Sequence, residues 1–227
     1  MEIISEIGQN FLGDKSLAHK MIKDSFLNGA SACKFQLFDT DKIYTPGTEL
    51  YHLAKKAELS LSSARELFLY GEKTGIEVFF SVFDVERVGW CEEIGVKRYK
   101  IAKRSNQDIE LINTCIKTGK PVIMSSHKYI LSMDLAEYPV HQLYCVGNYP
   151  TVPDQLQFSG VDFYEFQGYS DHTEGIEACM VAIARGANII EKHFCLGYDI
   201  GVDAQWSMTP ADLSALVTFY HQVREML

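Results

Sequence analysis

The chain alternates eight times between a short apolar or β-branched run and, in most cases, a longer segment with helical periodicity. This strict alternation predicts a parallel sheet covered by helices. Eight repeats favour a (β/α)8 TIM barrel, and a doubly wound open sheet is the alternative. The predicted strands are Glu2–Gly8, Ala32–Phe38, Glu77–Phe83, Arg98–Ala102, Pro121–Ser125, Gln142–Val146, Asp162–Gln167 and Asn188–Phe194.

Glycines and helix-start residues support this division of the chain. A glycine follows each of five helical runs just before a strand, where a left-handed residue commonly ends a helix. Ser62 and Thr209-Pro210 are typical of helix starts, and the crossovers 129–138 and 153–159 are short and irregular. The predicted helices are Ser16–Asn28, Ser62–Thr74, Val85–Ile94, Gln107–Thr118, Glu174–Arg185 and Ala211–Met226, and the five glycines are Gly29, Gly75, Gly95, Gly119 and Gly186.

Length and composition restrict the class of protein. A chain of 227 residues that is 47% hydrophobic matches one complete barrel, so residues 1–227 are expected to form a single domain. The formal charge of −9 disfavours nucleic acids and anionic membranes as partners. Neither a leader sequence nor an uncharged stretch long enough to span a bilayer is evident, so a cytoplasmic protein is expected.

The six cysteines indicate neither disulfides nor a zinc framework. They show no CxxC spacing and lie mostly in apolar surroundings. Thiols of this kind are typical of buried residues in a reducing compartment.

Two histidines in the stretch 168–194 are the first candidates for a site. His172 precedes a predicted helix, and His193 closes the following strand. In a parallel α/β fold, the C-terminal ends of adjacent strands carry the ligand-binding residues. Two imidazoles could hold one divalent metal and leave positions open for substrate, although a lone histidine at a strand end is more often structural.

Polar residues at the ends of other strands extend the candidate site. Lys34 and Gln36 share one face of a strand because side chains alternate with period two. A lysine in the apolar run ACKFQLF needs an anionic partner, either a ligand or a barrel carboxylate such as Glu6. Lys100 repeats this pattern two strands later. The other strand-end residues are Asn10, Ser81, Asp84, Lys103, Ser125, Ser126, His127, Asn148 and Tyr149.

Together these residues predict an anionic small substrate, in particular a phosphate ester, beside a divalent cation. The chain contains neither a Walker A motif nor a GxGxxG turn, so a nucleotide is the less favoured ligand.

Six motifs in order along the chain resemble the sialic acid (N-acetylneuraminate) synthase family. The segments SDHT and EKHF at their spacing are the most specific. The six are residues 6–10 (EIGQN), 34–36 (KFQ), 100–102 (KIA), 149–151 (YPT), 168–173 (GYSDHT) and 190–194 (IEKHF). The resemblance implies a (β/α)8 enzyme that condenses phosphoenolpyruvate with an open-chain N-acetylamino sugar and releases phosphate.

The resemblance also implies a role for each site residue. His172 and His193 would hold Mn²⁺, with Mg²⁺ or Co²⁺ as alternatives, and Glu6 and Lys100 would join them in catalysis. Glu6 would transfer a proton. The phosphoenolpyruvate contacts would be Lys34, Ser81, Lys100, Ser125 and Ser170, and the sugar contacts Glu6, Gln36, Tyr149 and Asp203.

Several positions depart from the family pattern. Phe11 replaces a histidine. Lys103 replaces the serine after KIA, so that it either adds a substrate-binding cation near the expected phosphate position or points away from it. Ser126-His127 replaces Thr-Gly, and Gly147 replaces a small polar residue before YPT. The loop between His193 and Asp203 is one residue shorter than in the family.

The motifs cover the barrel domain of the family without its C-terminal antifreeze-like domain. In typical members this domain comes from a partner subunit and closes over the sugar, so a homo-oligomer or a separate lid-supplying polypeptide is expected. Two alternative functions stay open: a diverged aldolase or lyase that uses Lys103 and His127, and a non-catalytic protein that binds a phosphorylated metabolite or a protein partner.

Overall fold

Eight parallel strands close into a barrel in chain order, each paired with the next and β8 paired with β1. This computed structural model describes residues 1–130 and 137–226. It confirms the predicted (β/α)8 barrel over the open sheet. The strands are β1 Glu2–Gly8, β2 Ala32–Leu37, β3 Glu77–Val82, β4 Tyr99–Ile101, β5 Val122–Ser126, β6 Val140–Cys145, β7 Gly168–Asp171 and β8 Ile189–His193.

Helices surround the strands and bury their apolar sides against the outer face of the barrel. All five predicted C-terminal glycines have positive φ angles, between 73° and 99°, as left-handed helix ends require. The helices are α1 Lys15–Leu27, α2 Thr40–Ile43, α3 Glu49–Ala57, α4 Leu61–Thr74, α5 Val85–Ile94, α6 Ile109–Lys117, α7 Phe163–Phe166, α8 Glu177–Ala184 and α9 Pro210–Met226.

The predicted seventh strand is wrong. Residues 163–166 form the short helix α7, and β7 begins only at Gly168. The Asp162 side chain accepts a hydrogen bond of 2.8 Å from the Tyr164 backbone N–H and caps this helical turn. Phe163 and Phe166 are both buried and lie three residues apart, a spacing that fits a helical turn and not the period of two of a strand.

Smaller differences occur at other element boundaries. The crossover from β2 to β3 contains α2 and α3, which the sequence did not predict. Helix α4 is capped by Ser60 rather than Ser62, because the Ser60 hydroxyl accepts the Ser63 N–H. The predicted irregular crossover 129–138 lies partly outside the described residues.

Alternating side chains fill the barrel interior in layers. The lowest layer is an apolar floor, below which Arg98 pairs with Glu2 and Glu77 and lies over the ring of Phe79. Polar side chains lie above the floor toward the C-terminal ends of the strands. The floor consists of Ile4, Ala32, Phe79, Ile123, Leu143 and Ile189.

On the outer face of β7 and β8, a fully buried ion pair ties the two histidine-bearing strands together. Lys192 Nζ lies 2.7 Å from Asp171 Oδ2, and both side chains are 0% exposed. Asp171 also accepts hydrogen bonds from the Tyr169 hydroxyl and the Thr173 N–H. Every member of the network is therefore hydrogen-bonded, as a buried charge requires.

The six cysteines are free and buried, which confirms the expectation of unpaired thiols. No helix within residues 1–130 and 137–226 has the length and apolar character needed to cross a membrane.

We expect Asp171→Asn to lower the free energy of unfolding by about 3 kcal/mol or more, because the change leaves Lys192 buried without a counter-charge. Chemical denaturation measures the difference. Asp24→Asn is the matched control, since Asp24 pairs with the exposed Lys20 and should matter little. Replacing Lys192 by Met in the Asp171→Asn background should restore part of the stability. Equal stability of the two single variants would contradict this role of the pair.

Candidate functional site

The polar layer of the barrel encloses a cavity of about 40 Å³ at the C-terminal ends of the strands. Eleven of the twelve predicted site residues line it, and Asp203 lies beside it. The lining residues are Glu6, Lys34, Gln36, Ser81, Lys100, Ala102, Lys103, Ser125, Cys145, Tyr149, Ser170, His172, Glu191 and His193. The prediction that the strand ends converge is thus confirmed as geometry, and the individual roles stay predictions.

Two buried lysines and two buried glutamates form the centre of the cavity wall. Lys34 Nζ lies 2.7 Å from Glu6 Oε2 and 3.5 Å from Glu191 Oε2. Lys100 Nζ lies 3.5 Å from Glu191 Oε1. The sequence left open whether Lys34 meets a barrel carboxylate or a ligand; it meets Glu6 and Glu191, and it also faces the cavity.

Hydroxyl and amide groups complete this network. Lys34 donates a hydrogen bond of 2.6 Å to Ser81 Oγ, and Lys100 donates one of 2.7 Å to Ser125 Oγ. Ser170 donates to Glu191 Oε1 at 2.9 Å. Gln36 Nε2 donates to Glu6 Oε1 at 2.8 Å.

The two carboxylates have pKa values that move in opposite directions. Burial raises the pKa of Glu6 above its usual 4.5, although the Lys34 ammonium opposes this shift. Burial would also raise the pKa of Glu191, but Lys100 and Lys34 outweigh it and hold this pKa at about 2. Glu191 therefore stays ionised, and Glu6 is the carboxylate suited to exchange a proton.

The pKa values of the two lysines also shift in opposite directions. Burial lowers the pKa of Lys100, and the Glu191 carboxylate only partly opposes this shift. Burial acts in the same direction on Lys34, but Glu191 and Glu6 together raise its pKa above the usual value. Lys34 therefore stays protonated and positively charged between the two carboxylates.

His172 and His193 face each other across the cavity, with ring centroids 5.6 Å apart. Burial lowers the pKa of His172 to about 4, and burial together with His172 and the nearby lysines lowers the pKa of His193 well below its usual value. His172 Nδ1 lies 2.9 Å from the Val146 carbonyl, which fixes its proton there and leaves Nε2 with a free lone pair. Both rings are therefore neutral imidazoles.

Tyr149 and Asp203 lie on the histidine side of the cavity mouth. The Tyr149 ring lies 4.2 Å from that of His172 and is 53% exposed; the peptide bond between it and Pro150 is cis. Asp203 Oδ2 is 3.4 Å from His193 Nδ1. Burial and the Glu6 charge raise the pKa of Asp203 to about 7.

Other strand-end residues lie outside the cavity or support it. His127 is exposed and packs against Tyr144, and the Asp84 side chain caps α5 and pairs with Arg87. Ser126 accepts a hydrogen bond from Gln142 instead of reaching the cavity. Two groups important to the site have no assigned role in the sequence analysis: Glu191, and Asn10, which is named there only as a strand-end residue.

In the sequence, Glu191 stands out only as part of the IEKHF motif that ends near His193. The period of two along β8 places both residues on the same face, which is a signal that the sequence offers. The pairing of Ser170 with Glu191 in adjacent strands then brings it beside both lysines.

Asn10 positions Asp203. Its Nδ2 donates to the Phe194 carbonyl at 2.9 Å and to Ser207 Oγ at 3.0 Å, and its Oδ1 accepts the Asp203 N–H at 2.7 Å. One buried amide therefore holds the loop after β8 against the end of β1.

We expect Asn10→Ala to speed hydrogen exchange in residues 201–207, because the change removes three hydrogen bonds, two of them buried, to this loop and to the residue after β8. Mass-spectrometric exchange of the intact protein measures the rate. Asn148→Ala is the control, since the Asn148 side chain is exposed. Unchanged protection of this loop in Asn10→Ala would show that Asn10 does not hold it.

Comparison with known proteins identifies the family. The NeuB family model matches residues 21–227. The N,N'-diacetyllegionaminic acid synthase of Campylobacter jejuni is 28% identical over 99% of this chain and 77% of its own length. The human N-acetylneuraminate-9-phosphate synthase is also 28% identical, over 99% of this chain and 70% of its own.

Solved structures agree with this result. The crystal structure of N-acetylneuraminic acid synthetase from Leptospira borgpetersenii, in complex with citrate, has a TM-score of 0.89 and 32% identity, and covers 99% of this chain and 84% of its own. The predicted enzyme class, a transferase of the sialic acid synthase type, is confirmed by these relatives. The barrel, the order of the strand-end motifs and the family match together show that the chain belongs to the NeuB family.

Proposed function

We propose that the protein condenses phosphoenolpyruvate with the open-chain form of an N-acetylamino sugar or a related aldehyde, giving a 2-keto-3-deoxy sugar acid and phosphate. One observation carries the proposal: a single cavity joins a lysine and serine cluster to a pair of neutral histidines. Glu6 lies between them, in contact with Lys34 and paired in register with His193. Membership of the NeuB family supports the same chemistry.

The lysine side of the cavity suits the anionic substrate. Lys34 and Lys100 donate to Ser81 and Ser125, so each of these hydroxyl groups keeps its own hydrogen for a further acceptor. A phosphate or carboxylate oxygen would receive two charge-assisted and two hydroxyl hydrogen bonds there. Phosphoenolpyruvate carries both kinds of oxygen.

The histidine side suits a divalent metal. Both imidazoles are neutral, and among the described residues His193 Nδ1 makes no hydrogen bond, although Asp203 Oδ2 lies 3.4 Å from it. These are the donors that a borderline cation prefers. His172 and His193, whose rings face each other across the cavity, would be its protein ligands. Residues 1–130 and 137–226 contain no group of three or more His, Cys, Asp or Glu residues that could hold an ion. A bound Mn²⁺, or Mg²⁺ or Co²⁺, would supply Lewis-acid polarisation of the aldehyde oxygen.

Proton transfer is the role we assign to Glu6. C3 of phosphoenolpyruvate bonds to the aldehyde carbon, and the aldehyde oxygen gains a proton. Addition of water and loss of phosphate then leave a keto group at C2, so the protons of that water must be accepted. A carboxylate whose pKa lies above its usual value accepts a proton more readily near neutral pH. Asp203 and Tyr149 would border the sugar at the mouth.

The test of function is phosphate release that requires both phosphoenolpyruvate and an aldose, measured with Mn²⁺ across a panel that includes N-acetylmannosamine. We expect Glu6→Gln to lower kcat by about 10²- to 10⁴-fold, with phosphoenolpyruvate still bound. Glu110→Gln, on the exposed face of α6, is the control. Absence of aldose-dependent phosphate release across the panel would reject the proposed reaction.

We expect His172→Ala and His193→Ala each to lose Mn²⁺ binding while keeping the barrel, because each removes one of two protein ligands. Calorimetric titration with Mn²⁺ and circular dichroism measure the two effects. His127→Ala removes an imidazole outside the cavity and serves as the matched control. Full Mn²⁺ affinity in both cavity variants would exclude these residues as ligands.

A further inference from the structure

Gly147, which follows β6, leaves space that one particular side chain occupies. A Cβ atom at this position would lie 2.7 Å from Lys103 Nζ, 2.9 Å from its Cδ and 3.2 Å from its Cε. Gly147 is not among the glycines with positive φ, so its backbone conformation does not require glycine. The absence of a side chain at 147 therefore serves to admit Lys103.

Lys103 differs from the other two cavity lysines in having no counter-ion. Lys34 and Lys100 each have a carboxylate within 4 Å. Among the described residues, no carboxylate lies within 4 Å of Lys103 Nζ, and the Lys103 side chain makes no hydrogen bond to any of them. The cavity lining thus contains one more lysine than carboxylate, and Lys103 supplies the excess positive charge.

The position of Lys103 indicates which part of a ligand it would meet. It lines the central cavity and also a recess of about 780 Å³ that contains Arg104, His127 and Lys128. The central cavity, at about 40 Å³, has room for only about three water molecules. Lys103 is the lining residue that the cavity and this recess share, so a phosphate ester too large for the cavity finds both space and positive charge beside it.

We infer that Lys103 binds the phosphoryl group of the substrate, and that Gly147 determines this by leaving room for the lysine side chain. The inference rests on the proposed function and deepens it. It also links two positions that depart from the pattern of the resemblance, because the Lys103 side chain fills the space where a side chain at 147 would lie. Lys103 is therefore a specificity-determining residue that favours a phosphorylated enol over an unphosphorylated keto acid.

The test is calorimetric binding to the intact Mn²⁺-loaded protein with three probes: phosphoenolpyruvate, inorganic phosphate and pyruvate. We expect Lys103→Gln to weaken the first two about tenfold, the effect of one charge-assisted hydrogen bond, and to leave pyruvate unchanged. Lys128→Gln, which removes a lysine of the recess only, is the control. Circular dichroism confirms that each variant is folded.

Gly147→Ala gives an independent arm of the test. The added methyl group meets the flexible end of Lys103 rather than backbone, so it should displace the ammonium and leave the barrel intact. Phosphoenolpyruvate binding should weaken about tenfold in the wild-type background and not further in Lys103→Gln. Equal losses in both backgrounds would contradict the coupling between the two residues.

The remaining outcomes separate this inference from the proposed function. Unchanged binding of phosphoenolpyruvate and phosphate to Lys103→Gln would overturn the inference and leave the reaction standing. Equal weakening of pyruvate would assign Lys103 to the carboxylate and also overturn it. Wild-type protein that binds phosphate but not phosphoenolpyruvate would reject the reaction, while loss of phosphate binding in Lys103→Gln would still support the inference. Wild-type protein that binds neither phosphate nor phosphoenolpyruvate would reject both the inference and the proposed reaction.

Discussion

The buried network of Lys34, Lys100, Glu6 and Glu191 is the interaction on which the site depends. Each charge alone would cost several kcal/mol to bury, and each is tolerated because an opposite charge lies within 3.5 Å. Among the described residues, removing Lys34 would leave Glu6 without an opposite charge within 4 Å, and removing Glu191 would do the same to Lys100. The upper half of the barrel interior is therefore filled by polar side chains, which contribute little hydrophobic stabilisation. That stabilisation comes from the apolar floor and the outer shell of helices.

Strand alternation divides β8 between function and support. Glu191 and His193 face the cavity, whereas Lys192 between them faces outward and binds Asp171. The same alternation on β7 sends Ser170 inward and Asp171 outward. The outer ion pair thus fixes the relative position of two strands, of which β8 ends at His193 and β7 is followed directly by His172. The pair contributes to function through backbone placement, without contact with the cavity.

Local patterns in the sequence are sufficient to predict much of this arrangement. Lys34 and Lys100 stand out as lysines within apolar strands, and period two assigns their face without further information. The predicted seventh strand is wrong because Asp162 caps a helical turn at residues 163–166, and a short apolar run alone does not distinguish a strand from a helix. Asn10 could not be assigned, because its partners lie more than 180 residues away and are brought close only when β8 pairs with β1. The contact between Lys103 and Gly147 likewise exists only after folding.

Lys34 contacts both Glu6 and Glu191 and also faces the cavity, so it couples anion binding to proton transfer in the proposed reaction. Lys34 now compensates Glu6 at 2.7 Å and Glu191 at 3.5 Å. A substrate anion that drew the ammonium toward itself would weaken the compensation of Glu6, and its added negative charge would raise the pKa of Glu6 further. Glu191 would be less affected because Lys100 remains beside it. Glu6 would thus become a stronger base when the anion is in place, which favours proton acceptance in the loaded enzyme over the empty one.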